Sequence, residues 1–459
     1  MGFVDTIANI IPEVRGPTEK RLSLKVKLQW TGIILAAYFI LGLVPLYGLS
    51  EAALSQFEFL SIILGASFGS LLTLGIGPIV TSSIVLQLLK GSGLLKLDTN
   101  SPEGRSKFQQ IQKVLTLGFI LVESFIFVYM GGLTAQVGIS PMILVIQLII
   151  GGILVLFMDE TVQKWGIGSG ISLFIAAGVS RTMVTQLINW LPATNALGDQ
   201  YAIGALPRMV QSLAASDLAT FYAALAGILA TVVVFAIVVF AQGMKIEIPL
   251  SFGMVRGHGI RWPLNFFYTS NIPVILTAAL LANVQLFARL LANTGGFGWL
   301  GTFDANGAAT GGLVTWLTGR NLLEHVIQGG FQPIFLLHAL VYILFLAGGS
   351  LLFSLFWVQT AGLDARSQAK NMMASGLTIP GFRKDPRVLE LMLKKYISPL
   401  TVMGGISVGI LAAVADLTGA FGTGTGILLT VMIIYRFYED LAKQHMMDLN
   451  PSMRKFIAK

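Results

Sequence analysis

Residues 57–90 form one apolar stretch with a break in its middle, at Gly75-Ile76-Gly77-Pro78. In a bilayer, backbone N–H and C=O groups without partners are so costly that a helix can be interrupted only where protein or a water-filled cavity meets the break. An interrupted membrane helix therefore marks a place where something binds or passes.

Charged residues make up 11% of the 459 positions and hydrophobic ones 54%. A soluble domain carries about 25% charged residues, so this is a polytopic membrane protein. Apolar runs that mark spans fall near 28–47, 76–90, 110–132, 140–158, 168–187, 219–242, 266–291, 331–358, 397–415 and 422–441, ten in all. The run at 76–90 is too short to cross alone, which fits a half-helix with a re-entrant partner at 57–70 before it. The first run follows a segment with five basic and three acidic residues. It is too long for a signal-peptide core and has no small-residue cleavage site after it, so it reads as a retained span. Of the 30 Lys and Arg, only Arg181, Arg208, Arg289 and Arg320 fall in loops after odd-numbered spans; the other 26 fall in the termini and the loops after even-numbered spans. Such a split predicts ten spans with both termini in the cytoplasm.

Ahead of the first span, Phe3, Val4, Ile7, Ile10, Ile11 and Val14 recur at helical spacing, which predicts a helix lying on the membrane surface within a 1–27 cytoplasmic segment. Two halves follow, 28–190 and 191–441, and then a cytoplasmic tail at 442–459. The second half carries the basic loops 242–263 and 358–396. Long loops at 188–218 and 292–330 lie on the other side, the latter ordered by packing. The halves echo each other: Gly75-Ile-Gly-Pro-Ile-Val-Thr81 in span two, Ser270-Asn-Ile-Pro-Val-Ile-Leu276 in span seven. Paired breaks at corresponding positions point to a site between repeats, with two ordinary proline kinks as the plainer alternative.

The chain has no Cys, hence no disulfide and no thiolate metal site. It has no phosphate-binding loop and no His-Glu-x-x-His, and its four histidines, His258, His325, His338 and His445, are scattered. Gly422-Thr-Gly-Thr-Gly426 follows no strand and reads as a close-packed helix start. Asp159 and Glu160 read as solvated at the end of span four. That leaves Glu123 as the clear intramembrane acid, whereas an ion-driven pump needs a constellation of such charges. No enzyme activity and no cofactor is expected.

Leu74-Gly-Ile-Gly-Pro-Ile-Val-Thr81, Gly166-Ile-Gly-Ser-Gly-Ile-Ser-Leu-Phe-Ile-Ala-Ala-Gly-Val179, Ser270-Asn-Ile-Pro-Val-Ile275, Gly381-Phe-Arg-Lys384 and Gly424-Thr-Gly-Ile-Leu-Leu-Thr430 occur in one chain. Together they resemble the SecY family, the channel subunit of the protein translocon, in its archaeal and eukaryotic form. The resemblance implies an all-α membrane protein of ten transmembrane helices in two pseudo-symmetric five-helix halves. The halves hinge around a central hourglass pore in the cell membrane, through which a nascent polypeptide crosses or leaves sideways into the lipid bilayer. It implies a plug at about 57–70, carrying Glu58. It also implies partners: small membrane subunits of the SecE type and of the SecG or Sec-beta type, signal sequences, and a translating ribosome.

Ile76 and Val80 share one helix face, as do Ile171 and Ile175. With Ile275 of span seven and Leu411, assigned to span ten, the resemblance makes these a pore ring. An apolar constriction can empty of water and resist ion leak, and it offers no hydrogen bond to hold a passing chain. The resemblance puts Thr81, Glu123 and Asn283 near a lateral gate, where membrane polar contacts contribute about 0.6–2 kcal/mol each. Glu123 reads equally as a structural acid bonded to a neighbouring helix. For ribosome docking the candidates are Arg256 and Arg261 in the first basic loop and Arg383, Lys384 and Arg387 in the second, through salt-sensitive phosphate contacts. Topology alone also accounts for that charge. A small-solute transporter would place polar groups at the break, where this chain has Gly, Ile, Pro and Val; an intramembrane enzyme would need a nucleophile, acid pair or metal motif.

Overall fold

The computed structural model describes residues 12–18, 22–50, 69–91, 94–95, 101–130, 132–194, 200–252, 259–269, 271–293, 298–303, 309–374, 377–378, 385–422 and 424–449. Most of the expected surface helix and plug, together with Arg256, Arg383, Lys384 and the last ten positions, lie outside the described residues.

Among the described residues, ten long helices carry the fold: α1 (Leu24–Leu43), α2 (Gly77–Gly91), α3 (Pro102–Tyr129), α4 (Pro141–Trp165), α5 (Gly170–Ile188), α6 (Leu218–Gly243), α7 (Ile272–Asn293), α8 (Ile334–Thr360), α9 (Pro386–Leu417) and α10 (Gly424–Leu449). Eight of them, α1 and α3 to α9, are long and apolar enough to cross a membrane. The α2 helix has 15 residues and rises only about 22 Å, short of a hydrocarbon core of about 30 Å. Several of these helices start where a side chain serves a free N–H group of the first turn. Ser101 accepts from Gly104 N (3.1 Å), Asp217 from Thr220 N (3.2 Å) and Asp385 from Arg387 N (2.9 Å).

The break before α2 satisfies its own backbone. Leu71 N donates to Val44 O (3.1 Å), Thr73 N to Ser70 O (3.0 Å), Gly75 N to Leu72 O (2.8 Å) and Gly77 N to Leu74 O (3.1 Å). Gly75 sits at φ 51°, a left-handed conformation that a residue without Cβ adopts at no steric cost. Leu72, Thr73, Leu74 and Ile76 are all buried, so protein rather than lipid surrounds the interruption. Pro78 and Pro273 both occupy the second position of their helices, α2 and α7. Proline fits there, because its missing N–H would have had no partner. The two prolines therefore open helices; neither kinks a continuous one.

The all-α expectation needs correcting outside the helices. Short strands pair antiparallel in the loops: β1 (Pro192–Thr194) with β2 (Gln200–Ala202), β3 (Lys245–Phe252) with β4 (Gly259–Asn265), and β5 (Thr302–Phe303) with β6 (Ala309–Gly311). A further strand, β7 (Leu377–Thr378), pairs with β3 through Ser251↔Thr378 and Phe252↔Leu377. Loops 242–263 and 358–396 thus share one sheet, in the order β4-β3-β7. Beneath it a separate small core joins Ile248 and Leu264 to Ala369 and Met372 of the short helix Ala365–Ala374, and to Leu389, Leu393, Ile397 and Leu400 of α9. With 32 residues, α9 rises about 48 Å, so its first turns project beyond the bilayer core to meet this sheet.

Residues 12–15 lie along the same end of α3 and α4. Lys113 donates to Pro12 O (3.1 Å) and Glu160 (3.1 Å). Lys164 donates to Glu13 (2.6 Å), Val14 O (2.6 Å) and Glu160 (3.0 Å), and Trp165 Nε1 to Arg15 O (2.9 Å). The Lys164 ammonium, hydrogen-bonded to Glu13, holds that carboxyl below its usual range.

Candidate functional site

Ile76, Val80, Ile175 and Ile275 are buried in one hydrophobic core, and half-buried Ile171 and Leu411 pack against it. Leu411 belongs to α9, not to the last helix as the sequence reading had it. Two cavities flank this aliphatic cluster. One, of about 480 Å³, opens toward the end bearing the shared sheet; Val80, Ile171 and Ile275 line it with Ser83, Gln87 and Gln112. The other, of about 540 Å³, lies toward the opposite end; Ile175 lines it with Gln186, Arg208, Gln285, Asn321 and Asp416. Four of the six expected ring residues therefore stand in chamber walls, three in one chamber and one in the other. Ile76 and Leu411 are among the lining residues of neither.

Thr81, Glu123 and Asn283 come together from α2, α3 and α7. Asn283 Nδ2 donates to Thr81 Oγ1 at 3.0 Å, and Thr81 Oγ1 donates to Gly77 O at 2.9 Å. The Glu123 carboxyl lies beside this pair, against Gly77 in the first turn of α2. Glu123 is 6% exposed, and a Cβ added at Gly77 would lie 3.5 Å from its Oε2, an ordinary contact distance. The Asn283–Thr81 bond bridges the first half of the chain to the second. Lys90, at the end of α2, reaches the same way toward Gln359 O (3.5 Å) and Thr360 O (3.4 Å) at the end of α8. Those last-turn carbonyls have no helical N–H to meet and carry the negative pole of the helix.

Three functional groups escaped the sequence reading. Asp159 is not solvated: it is 5% exposed, accepting from Ile171 N (3.0 Å) and Gln163 Nε2 (2.8 Å). It serves the start of α5, where Ser169 makes no side-chain cap. Asp416, near the end of α9, accepts from Tyr342 of α8 (2.7 Å), from Thr425 N (3.2 Å) and from the Thr425 hydroxyl of α10. It ties together three helices at a chamber wall, and an acid closing an apolar run just before Gly422-Thr-Gly-Thr-Gly426 was the available signal. The third is Lys90, a lone cation at the C-terminal end of a short helix. The glycine-rich start of α10 is closely packed as expected: Gly422, at φ 72°, would place a Cβ 2.9 Å from Met183 Cγ.

Of the docking candidates among the described residues, Arg261 lies on β4, paired with Glu247 at 2.9 Å and well exposed. Arg387 is exposed in the first turn of α9. The two come from the two loops that β3 and β7 join.

The SecY family profile matches residues 70–438, and a profile for the plug domain of Sec61p matches residues 37–69. The protein translocase subunit SecY of Pyrococcus furiosus is 43% identical over 97% of this chain and 96% of its own. That of Methanocaldococcus jannaschii is 42% identical over 98% of each. Among solved structures, a protein-conducting channel superposes with a TM-score of 0.83 at 40% identity, covering 97% of this chain and 98% of its own. Sec61 in a canine ribosome-channel complex from the endoplasmic reticulum gives 0.80 at 40% identity with the same coverage. Profile, relatives and solved structures agree from end to end: the chain belongs to the SecY family, a family of channels and not of catalysts, as a pore-forming subunit of the protein translocase.

Proposed function

We propose that this chain passes unfolded secretory polypeptides through the waist between its two chambers and releases apolar segments sideways into lipid between α2–α3 and α7–α8. One observation carries the reading: four buried aliphatic side chains from α2, α5, α7 and the break, with two more against them, lie between two chambers at opposite ends. In this reading Ile76, Val80, Ile171, Ile175, Ile275 and Leu411 close as a gasket. Branched apolar side chains at a constriction expel water when idle and give a passing chain no fixed partner. Thr81, Glu123 and Asn283 hold the lateral seam shut until an apolar segment competes for it. The segment at 57–70 is the plug.

The finer architecture belongs to the same proposal: ten spans in two related five-span halves, in the cell membrane with both termini cytoplasmic. The 26-to-4 division of Lys and Arg supports that orientation. The shared sheet then faces the cytoplasm, where Arg256, Arg261, Arg383, Lys384 and Arg387 meet ribosomal RNA phosphates; similarity to a Sec61 solved within a ribosome-channel complex supports this partner. Small SecE-type and SecG- or Sec-beta-type subunits complete the assembly.

Polar replacement of two or more ring positions, for example Ile76→Asn with Ile275→Asn, wets the waist. Resting ion conductance in planar bilayers is expected to rise at least severalfold. Conductance equal to the parent's would remove the ring from the mechanism.

A further inference from the structure

Six buried side-chain polar atoms lack a hydrogen-bond partner among the described residues: Gln87 Oε1, Gln285 Oε1, Thr315 Oγ1, His338 Nδ1, Ser350 Oγ and Thr430 Oγ1. The two glutamines differ from the other four in position. Gln87 lines the chamber on one side of the waist and Gln285 the chamber on the other, whereas Thr315, His338, Ser350 and Thr430 line neither. Gln87 is 4% exposed and Gln285 7%. Their neighbours are satisfied: Ser83 Oγ donates to Ile79 O (3.0 Å) and accepts from Gln112 Nε2 (2.6 Å). Gln87 lies seven residues beyond Val80 on α2, so the unpartnered oxygen belongs to a residue that shares a helix face with a waist residue.

A buried acceptor left without a donor is costly, and in a native fold it calls for an explanation. The missing group must be a neutral donor that comes and goes. It must also be present whatever the sequence of the passing chain, because a waist of aliphatic side chains cannot read sequence. The backbone N–H meets these conditions. An extended chain presents one at about every 3.3 Å, so some residue is in register at every stage of passage. Resting on the channel reading, we infer that Gln87 and Gln285 accept hydrogen bonds from the main chain of the threading polypeptide, one station on each side of the waist. Each bond is weak enough to break at the next step, so the stations guide an extended chain without trapping it.

The test uses the full-length channel in proteoliposomes and a polypeptide arrested by a folded C-terminal domain. Its channel-spanning segment is made with either native amides or ester isosteres, which keep the shape and remove the N–H. In the parent, esters are expected to shorten the dwell of the arrested chain about 2- to 10-fold, the range for one net hydrogen bond. In the Gln87→Leu/Gln285→Leu variant, or in Gln87→Met/Gln285→Met if the leucines do not fold, amide and ester chains should dwell equally. Equal dwell of the two chains in the parent, which needs no mutation, would overturn the inference. So would an amide-to-ester ratio that the variants leave unchanged, as when these oxygens meet only water. A parent that arrests no chain would overturn the channel reading itself.

Discussion

Thr81 has one hydroxyl proton. It goes to Gly77 O, which leaves the oxygen free to accept from Asn283 across 202 residues of sequence. That places a bond between the two halves on a single side chain. Interhelical polar contacts in membranes contribute about 0.6–1.7 kcal/mol, and each Leu-type residue gains roughly 0.3–0.6 kcal/mol on entering lipid. Asn283→Leu should therefore let a test segment leave sideways with roughly one to five fewer leucines than the parent requires. An insertion assay with a graded leucine series reads the threshold, and an unshifted threshold would exclude Asn283 from the gate. Thr81, Glu123 and Asn283 were legible as a group only through the family resemblance. No local pattern says that an Asn in one apolar run meets a Thr two hundred positions earlier. Asp159 shows the converse. An acid at the end of a span reads as solvated, and its burial follows from where α5 begins: a Cβ on Gly170 would lie 2.6 Å from Asp159 Cα. That proximity is tertiary and leaves no periodic trace.

At the scale of elements, the interrupted span was legible because three local signals coincide: glycines, a proline and a following run too short to cross. The reason it packs was not. Gly151, inside α4, lies so close to the break that an added Cβ would stand 1.8 Å from Leu71 O. Replacing a helix-interior Gly by Ala ordinarily stabilises by about 1 kcal/mol. Here Gly151→Ala must instead push α4 off the turn that carries Leu72 to Ile76, so thermal stability of the purified protein should fall. A melting temperature at or above the parent's would mean that the break can shift freely. The hairpin does leave a trace in the sequence: Ile246, Ile248, Leu250 and Phe252 alternate with Lys245, Glu247, Pro249 and Ser251, the period of a strand. Its Lys and Arg mark the same segment as a loop between spans, and that signal masks the period of two. Helix bounds failed for a related reason. Hydropathy sees only the part in lipid, so it missed the first turns of α9, whose apolar residues Leu389 and Leu393 face the sheet's small core.

For the whole molecule, the consequence of that sheet is that two loops separated by α7 and α8 act as one body. β3 and β4 come from the loop before α7, β7 from the loop after α8, and the projecting start of α9 supports them from below. Arg261 and Arg387 therefore stand on a common base, and the seam helices α7 and α8 leave and re-enter it. Under the proposed lateral gate, a partner bound at this base touches both ends of the α7–α8 pair that forms one side of it. Under the proposed docking, two basic loops held together should bind a phosphate-rich surface better than two loops free to separate, because the cost of ordering them is met during folding. Prolines at Leu377 and Thr378 remove the N–H groups of β7 while leaving every Lys and Arg in place. Ribosome affinity should then fall about 3- to 10-fold, by analogy with the loss of one pre-organised loop contact. The salt dependence, set by the number of phosphates met, should stay close to the parent's. Charge reversal at Arg383 and Lys384 should weaken binding and also flatten the salt slope. If the proline variant binds as tightly as the parent in co-sedimentation at low and high salt, the two loops engage the ribosome independently and the sheet serves folding alone.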